Sequence, residues 1–136
     1  MNYSDNKFPA LLALLGGLIV GIWGILHLSF TEWTVAQYSH LPVELLKAIR
    51  TEWVIEGIFL LFVSVLVISL YPRIKDKSRV ARKVAFYCGS VLLILAIWHL
   101  IGSSFDGLSH DLYAPLLAIS AILIWMSLIF HKGEWS

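Results

Sequence analysis

The sequence predicts an all-α membrane protein whose single domain, residues 1–136, is an up-down-up-down bundle of four transmembrane helices. The chain is 59% hydrophobic and 14% charged, whereas soluble domains carry about 25% charged residues. A soluble domain of this length could not bury so much apolar surface, because small domains leave a large share of theirs exposed. Four apolar segments are each close to the roughly 20 residues that cross a bilayer. Without water to satisfy their backbone groups, these segments must be helical.

The predicted spans are joined by connections short enough to make sequential helices antiparallel. The first span begins at Phe8, and we interpret it as uncleaved, because its apolar stretch exceeds the about 7–15 residues of a signal-peptide core. We expect the second span to end at Tyr71-Pro72, since proline commonly follows a helix end. Ser78 is a candidate N-cap for the third span. The four spans cover about residues 8–30, 51–71, 80–102 and 113–130.

The first connection, residues 31–50, is polar but carries a helical pattern in its second half. Pro42 suits the first position of a helix, and Leu45, Leu46 and Ile49 would share one face of that helix. The sequence leaves two alternatives open, a short interfacial helix or an N-terminal extension of the second span. The last connection, residues 103–112, is predicted to be a short polar loop.

The distribution of basic residues predicts the orientation in the membrane. Residues 73–83 hold six Lys or Arg and a single acidic residue, Asp76, so the positive-inside rule places this connection and both termini in the cytoplasm. We therefore expect an integral protein of a bacterial inner membrane, with membrane lipids as neighbours. A net charge of +1 argues against nucleic-acid binding, which needs a strongly basic face. Five aromatic residues would then form a belt at the outer interface: Trp33, Tyr38, Trp53, Trp98 and Tyr113.

The first span carries a stripe of small residues, Gly17, Gly21 and Gly24. Small residues at helical spacing let another helix approach closely. The stripe could pack against another span of the same chain, or it could support a homo-oligomer or a larger membrane complex.

The ionisable residues of the spans are concentrated at one end of the predicted bundle. Glu52 and Glu56 are four residues apart and share a helix face, and an ionisable group at membrane depth normally faces the bundle interior with a partner. Alternating crossings bring the end of span one, the start of span two and the end of span three to the same side. We therefore expect His27, Glu56 and His99 to lie together in an outward-facing pocket, with further candidates in the last connection: Asp106, His110 and Asp111.

This His/Glu pocket predicts a small membrane enzyme or ligand-binding protein that acts on a lipid-like or apolar small molecule. Glu56, His27 and His99 are the candidate catalytic residues, because a glutamic acid and a histidine can exchange a proton with a substrate. A metal-assisted variant uses the same residues as a two-histidine, one-carboxylate set for iron or zinc, with Glu52 as a further candidate ligand. No contiguous motif such as H-E-x-x-H supports the metal variant.

Three other functions remain open from the sequence. His27 and His99 could hold a haem axially in an electron-transfer protein. Glu56 could be the proton relay of a carrier. The chain could also be a non-catalytic subunit of a membrane complex, in which the Glu and His contacts are interhelical hydrogen bonds.

Overall fold

The computed structural model describes residues 7–106 and 113–130, with the backbone alone described for residues 102–106. Within these ranges the regular secondary structure is all helical, short turns join some of the helices, and no strand is present. The described residues form five helices: α1 (Lys7–Ser29), α2 (Thr31–Gln37), α3 (Val43–Lys75), α4 (Arg79–Asp106) and α5 (Tyr113–Ile129).

Three of these helices are long and apolar enough to cross a membrane, namely α1, α3 and the segment Arg79–Ile101 of α4. The fourth apolar helix, α5, has 17 residues and is shorter than a typical span. The helices are therefore compatible with an integral membrane protein. The four-span, up-down-up-down arrangement stays a prediction.

The outward faces of these helices are apolar, as the bilayer requires. Exposed side chains include Ile22 (59%) on α1, Phe62 (63%) on α3 and Ile94 (65%) on α4. Contiguous apolar surface of this kind is unusual on a soluble monomer, whereas lipid chains solvate it without cost.

Helix α1 occupies the centre of the packing. It contacts α3 and α5 extensively, α5 also packs against α4, and α3 and α4 touch only slightly. The buried core follows the same faces, with large, fully buried side chains contributed by four helices: Val20, Leu60, Val67, Leu92, Leu117 and Ile124. The slight contact between α3 and α4 leaves space between these two helices.

The glycine stripe of α1 serves packing within the chain. A Cβ atom on Gly24 would lie 3.2 Å from the carbonyl oxygen of Gly57, and one on Gly17 would lie 3.2 Å from Val67. Both neighbours belong to α3. The small residues therefore let α1 and α3 approach more closely than larger side chains would allow.

The first connection differs in part from its prediction. Pro42 lies directly before α3, and the helix runs without interruption from Val43 into the second span. Of the two alternatives, the extension of the span is thus the one observed. Helix α2 was not predicted, and its buried residues Thr31, Thr34 and Val35 show that contact with the rest of the chain holds this seven-residue segment.

We expect the second span to end at Tyr71-Pro72, but the helix continues beyond this proline. Helix α3 continues through this proline to Lys75, because a proline near the last turn removes only one backbone donor. The helix ends instead in a Schellman motif. Lys77 takes a left-handed conformation (φ 59°), and the N–H of Ser78 donates to the carbonyl of Arg73 at 2.9 Å.

The third helix starts as predicted and extends beyond its expected end. Helix α4 begins at Arg79, and Ser78, the predicted N-cap, accepts from the N–H of Ala81 through its Oγ at 3.5 Å. The helix reaches Asp106, so residues 103–106 are helical and the prediction of a loop there was wrong. Gly102 did not end the helix, because a lone glycine destabilises a helix by only about 1 kcal/mol and no proline follows it.

Candidate functional site

The carboxylate of Glu56 is the centre of the polar cluster, and residues from two other helices contact it. His99 Nε2, on α4, lies 2.6 Å from Glu56 Oε1. The hydroxyl of Tyr113, at the start of α5, donates to the same oxygen. The side chain of Glu56 is only 16% exposed, so burial removes most of the water around its carboxylate. The bonds to His99 and Tyr113 replace the hydrogen bonds to water that are lost.

His27 approaches the same carboxylate from α1. Its Nε2 lies 3.5 Å from Glu56 Oε2, which is within ion-pair distance. The residue is 3% exposed, and neither ring nitrogen has a hydrogen-bond partner among the described residues. Leaving a buried polar atom without a hydrogen bond is costly, and among the described side chains such atoms occur only in His27 and Trp23.

Trp53 holds His27 in place. The two rings are stacked, with centroids 3.9 Å apart and planes inclined by 8°. The indole Nε1 of Trp53 also donates to the backbone carbonyl of His27 at 2.7 Å, and Thr31 Oγ1 donates to the same carbonyl at 3.3 Å. One turn of α3 thus supplies both Glu56 and Trp53, whose ring fixes the position of His27.

Tyr113 connects the three ionisable residues. Its ring meets His99 edge-on, with centroids 4.1 Å apart, and lies 5.5 Å from the ring of His27. The residue is 4% exposed. Its hydroxyl therefore points at Glu56 from within the core, as expected of a buried tyrosine, which needs a partner for its polar tip.

The cluster opens on one side into a cleft between α3 and α4. The cleft has a volume of about 750 Å³, within the range of about 300–1,000 Å³ that small-molecule sites occupy. Glu56 and His99 form part of its wall. The remaining apolar lining residues are Ala48, Ile55 and Phe59 of α3 and Leu95 and Trp98 of α4. The remaining polar ones all belong to α3: Lys47, Thr51 and Glu52.

The structure therefore brings His27, Glu56 and His99 together, and Glu52 is not among the residues that contact the Glu56 carboxylate. Glu52 is exposed and lies on the cleft wall. Two further candidates, His110 and Asp111, lie outside the described residues. Asp106 is described only as a backbone position near the end of α4.

The metal hypothesis gains no support from this geometry. No group of three or more His, Cys, Asp or Glu side chains within residues 7–101 and 113–130 is arranged to hold a metal ion. Glu56 Oε1 is already bonded to His99 and Tyr113, so the atoms that would bind a cation bind each other. The two histidines also flank a carboxylate rather than an open space, which gives the haem alternative no support either.

Two residues of the cluster were not recognised from the sequence. Trp53 and Tyr113 were assigned to the aromatic belt of the interface, but Tyr113 is buried and Trp53 packs on His27. One signal could have found Trp53, because it lies three residues before Glu56 and residues at that spacing share a helix face. For Tyr113 the only signal was its position at the start of an apolar segment, at the end of the bundle where the carboxylates lie.

Comparisons of the chain with models of known protein families, with curated proteins and with solved structures found no match.

Proposed function

We propose that this chain is an integral membrane protein that binds a lipid-like or apolar small molecule in the α3–α4 cleft and exchanges a proton with it through Glu56. One observation carries the proposal. A carboxylate, bonded to a histidine that lines the same cleft and to a buried tyrosine, faces a largely apolar cleft of small-molecule size.

Each residue of the cluster has a role in this proposal. Glu56 is the proton acceptor or donor. His99 also faces the cleft and can share the proton of Glu56 across their 2.6 Å contact, while Tyr113 orients the carboxylate. His27, 3.5 Å from the other oxygen, is a second proton partner on the side away from the cleft. A carboxylic acid and a histidine in such contact are equipped for general acid–base catalysis.

The position of the cleft suits a ligand that arrives through the membrane. Helices α3 and α4 touch only slightly, and the apolar part of the cleft is lined by side chains that also face outward, such as Ile55 (61% exposed) and Phe59 (37%). An apolar molecule could enter sideways from the bilayer. If the basic connection is cytoplasmic, as its charge predicts, the cleft lies in the outer leaflet of a bacterial inner membrane.

Acid–base chemistry is better supported than metal-assisted chemistry at the same residues. Iron or zinc at His27, Glu56 and His99 would require the bonds from His99 and Tyr113 to Glu56 to be broken. Glu52, the fourth candidate ligand, lies a helical turn away from Glu56 on α3.

Photolabelling tests the occupancy of the cleft. The protein, in lipid nanodiscs, would be irradiated with a neutral long-chain alcohol that carries a diazirine, and labelled peptides would be mapped by mass spectrometry. We expect labels on α3 and α4 around Ile55, Phe59 and Leu95. The lipid-facing side of α1, around Ile22, measures background labelling from the bilayer.

Two matched variants separate the cleft from the lipid-facing surface. Ile55 and Ile58 are exposed isoleucines on α3, at 61% and 56%, but only Ile55 lines the cleft. Ile55→Trp should fill the cleft and reduce labelling of Leu95 several-fold, whereas Ile58→Trp should leave it unchanged. Labelling of Leu95 no stronger than that of Ile22, or equal effects of the two variants, would contradict the proposal.

A further inference from the structure

The cleft changes in polarity along α3. Lys47, Thr51 and Glu52 line its end nearest the start of α3, and Phe59 lines the other end together with Leu95 of α4. Glu56 lies between the two ends. At a rise of 1.5 Å per residue, Lys47 and Phe59 are about 18 Å apart along the helix. A ligand that matches this wall has a polar head, an apolar tail and a junction near Glu56.

The polar end carries an excess of negative charge. Lys47 lies 3.8 Å from Glu44, and Arg50 pairs with Glu32 at 2.7 Å, so the two basic side chains of this part of α3 are already offset by acids that do not line the cleft. Glu52 does line it, is exposed and has no hydrogen bond or ion pair with any other described residue. Its carboxylate is therefore free to attract a cation.

An aromatic ring lies on the opposite wall. Trp98, on α4, is 68% exposed and lines the same cleft as Glu52. The face of an indole ring attracts ammonium groups, and a carboxylate attracts them through its opposite charge. Two independent features, one carboxylate and one indole, thus favour the same kind of head group.

From these features we infer that the ligand of the cleft is a single-chain amphiphile with a cationic head, a protonated amine. The head lies between Glu52 and Trp98, and the tail extends past Glu56 toward Phe59 and Leu95. The volume of about 750 Å³ suits one chain of small-molecule size. This inference rests on the proposed function, because it names the class of molecule that the same cleft binds.

Three diazirine probes of equal chain length test the inference, with primary ammonium, alcohol and sulfonate heads. For each probe, labelling at Leu95 is divided by labelling at Ile22, which corrects for how much probe enters the bilayer. In phosphatidylcholine nanodiscs we expect the ratio for the primary ammonium probe to exceed that for the alcohol at least five-fold, and the sulfonate to label least.

Substitutions of Glu52 and Trp98 test whether these two residues cause the preference for the cationic head. Glu52→Gln and Trp98→Leu should each reduce the preference for the cationic head while labelling by the alcohol persists. Asp76→Asn, at the exposed far end of α3, is the matched control and should change nothing. A preference that survives both substitutions would overturn the placement of the head.

The remaining outcomes separate this inference from the proposed function. Equal ratios for the three heads, or a preference for the sulfonate, would overturn the inference and leave the proposed function standing. Absence of cleft labelling with every probe would overturn both. A cationic preference seen in phosphatidylglycerol nanodiscs but lost in phosphatidylcholine would mean that choline lipid head groups compete for the site, and it would overturn the assignment to a single-chain ligand.

Discussion

His99 Nε2 lies 2.6 Å from Glu56 Oε1, although the two residues are 43 positions apart in the chain. This bond joins α3 to α4, two helices that otherwise touch only slightly. It therefore fixes the inner wall of the cleft at the point where the cleft meets the polar cluster. Hydrogen bonds to a charged group contribute about 1.5–3 kcal/mol when partly buried, which makes this contact a main determinant of the spacing between α3 and α4.

We predict that Tyr113→Phe weakens the cluster without unfolding the protein. The substitution removes the hydroxyl that donates to Glu56 and keeps the ring that packs on His99. The free energy of unfolding should fall by about 1–2 kcal/mol, the range of hydrogen bonds between membrane helices. Denaturant unfolding in micelles would be measured for Tyr113→Phe, Glu56→Gln and the double variant. This double-mutant cycle should give a coupling energy different from zero. Tyr87, which is 64% exposed, is the control, and an equal loss of unfolding free energy in Tyr87→Phe would contradict a stabilising bond from Tyr113 to Glu56.

Trp53→Phe should destabilise the position of His27. Phenylalanine keeps a ring to stack on the imidazole but lacks the indole N–H that donates to the His27 carbonyl at 2.7 Å. We expect a loss of about 1–2 kcal/mol in the free energy of unfolding. Trp33, 67% exposed on α2, offers the same substitution without such a bond, and Trp33→Phe should change stability by less than about 0.5 kcal/mol. Equal losses at both positions would show that the Trp53 bond contributes nothing.

Two adjacent glycines of α1 should respond differently to alanine. A Cβ atom on Gly16 would lie 2.9 Å from the backbone oxygen of Ser120, which cannot move without shifting α5. One on Gly17 would lie 3.2 Å from the side chains of Val67 and Ile68, which can adjust. Gly16→Ala should therefore cost about 1–3 kcal/mol, as overpacking does, and Gly17→Ala should cost less. The order of the two unfolding free energies is the measurement, and the reverse order would contradict the described contact between α1 and α5.

The depth of each polar residue could be predicted from the sequence, but the rotation of each helix could not. His27, Glu56 and His99 each lie a similar number of residues from a span end, and short connections bring those ends to one side, so counting residues was enough to place them together. Whether Trp53 faces lipid or His27 depends on how α3 is turned about its axis. Interhelical packing sets that rotation, and no local pattern records it.

The helix ends and the cleft also could not be predicted from the sequence, for physical reasons. A proline such as Pro72 commonly marks a helix end, yet α3 ends at the left-handed conformation of Lys77. A lysine in the sequence does not predict that conformation. Helix α2 is held by burial of Thr31, Thr34 and Val35 rather than by its own propensity. The cleft exists because α3 and α4 pack on different neighbours, which only the assembled structure reveals.

Glu56 should change its protonation when a ligand that can exchange a proton occupies the cleft, and infrared difference spectroscopy measures this change. A long-chain primary amine without a diazirine would be added to the protein in phosphatidylcholine nanodiscs, and the carboxyl and carboxylate bands compared before and after binding. We predict a pair of difference bands that is absent from Glu56→Gln and present in Glu52→Gln once the amine concentration is raised to restore occupancy. A spectrum from the occupied protein with no carboxyl change, or one identical in Glu56→Gln, would contradict a role for Glu56 in proton transfer.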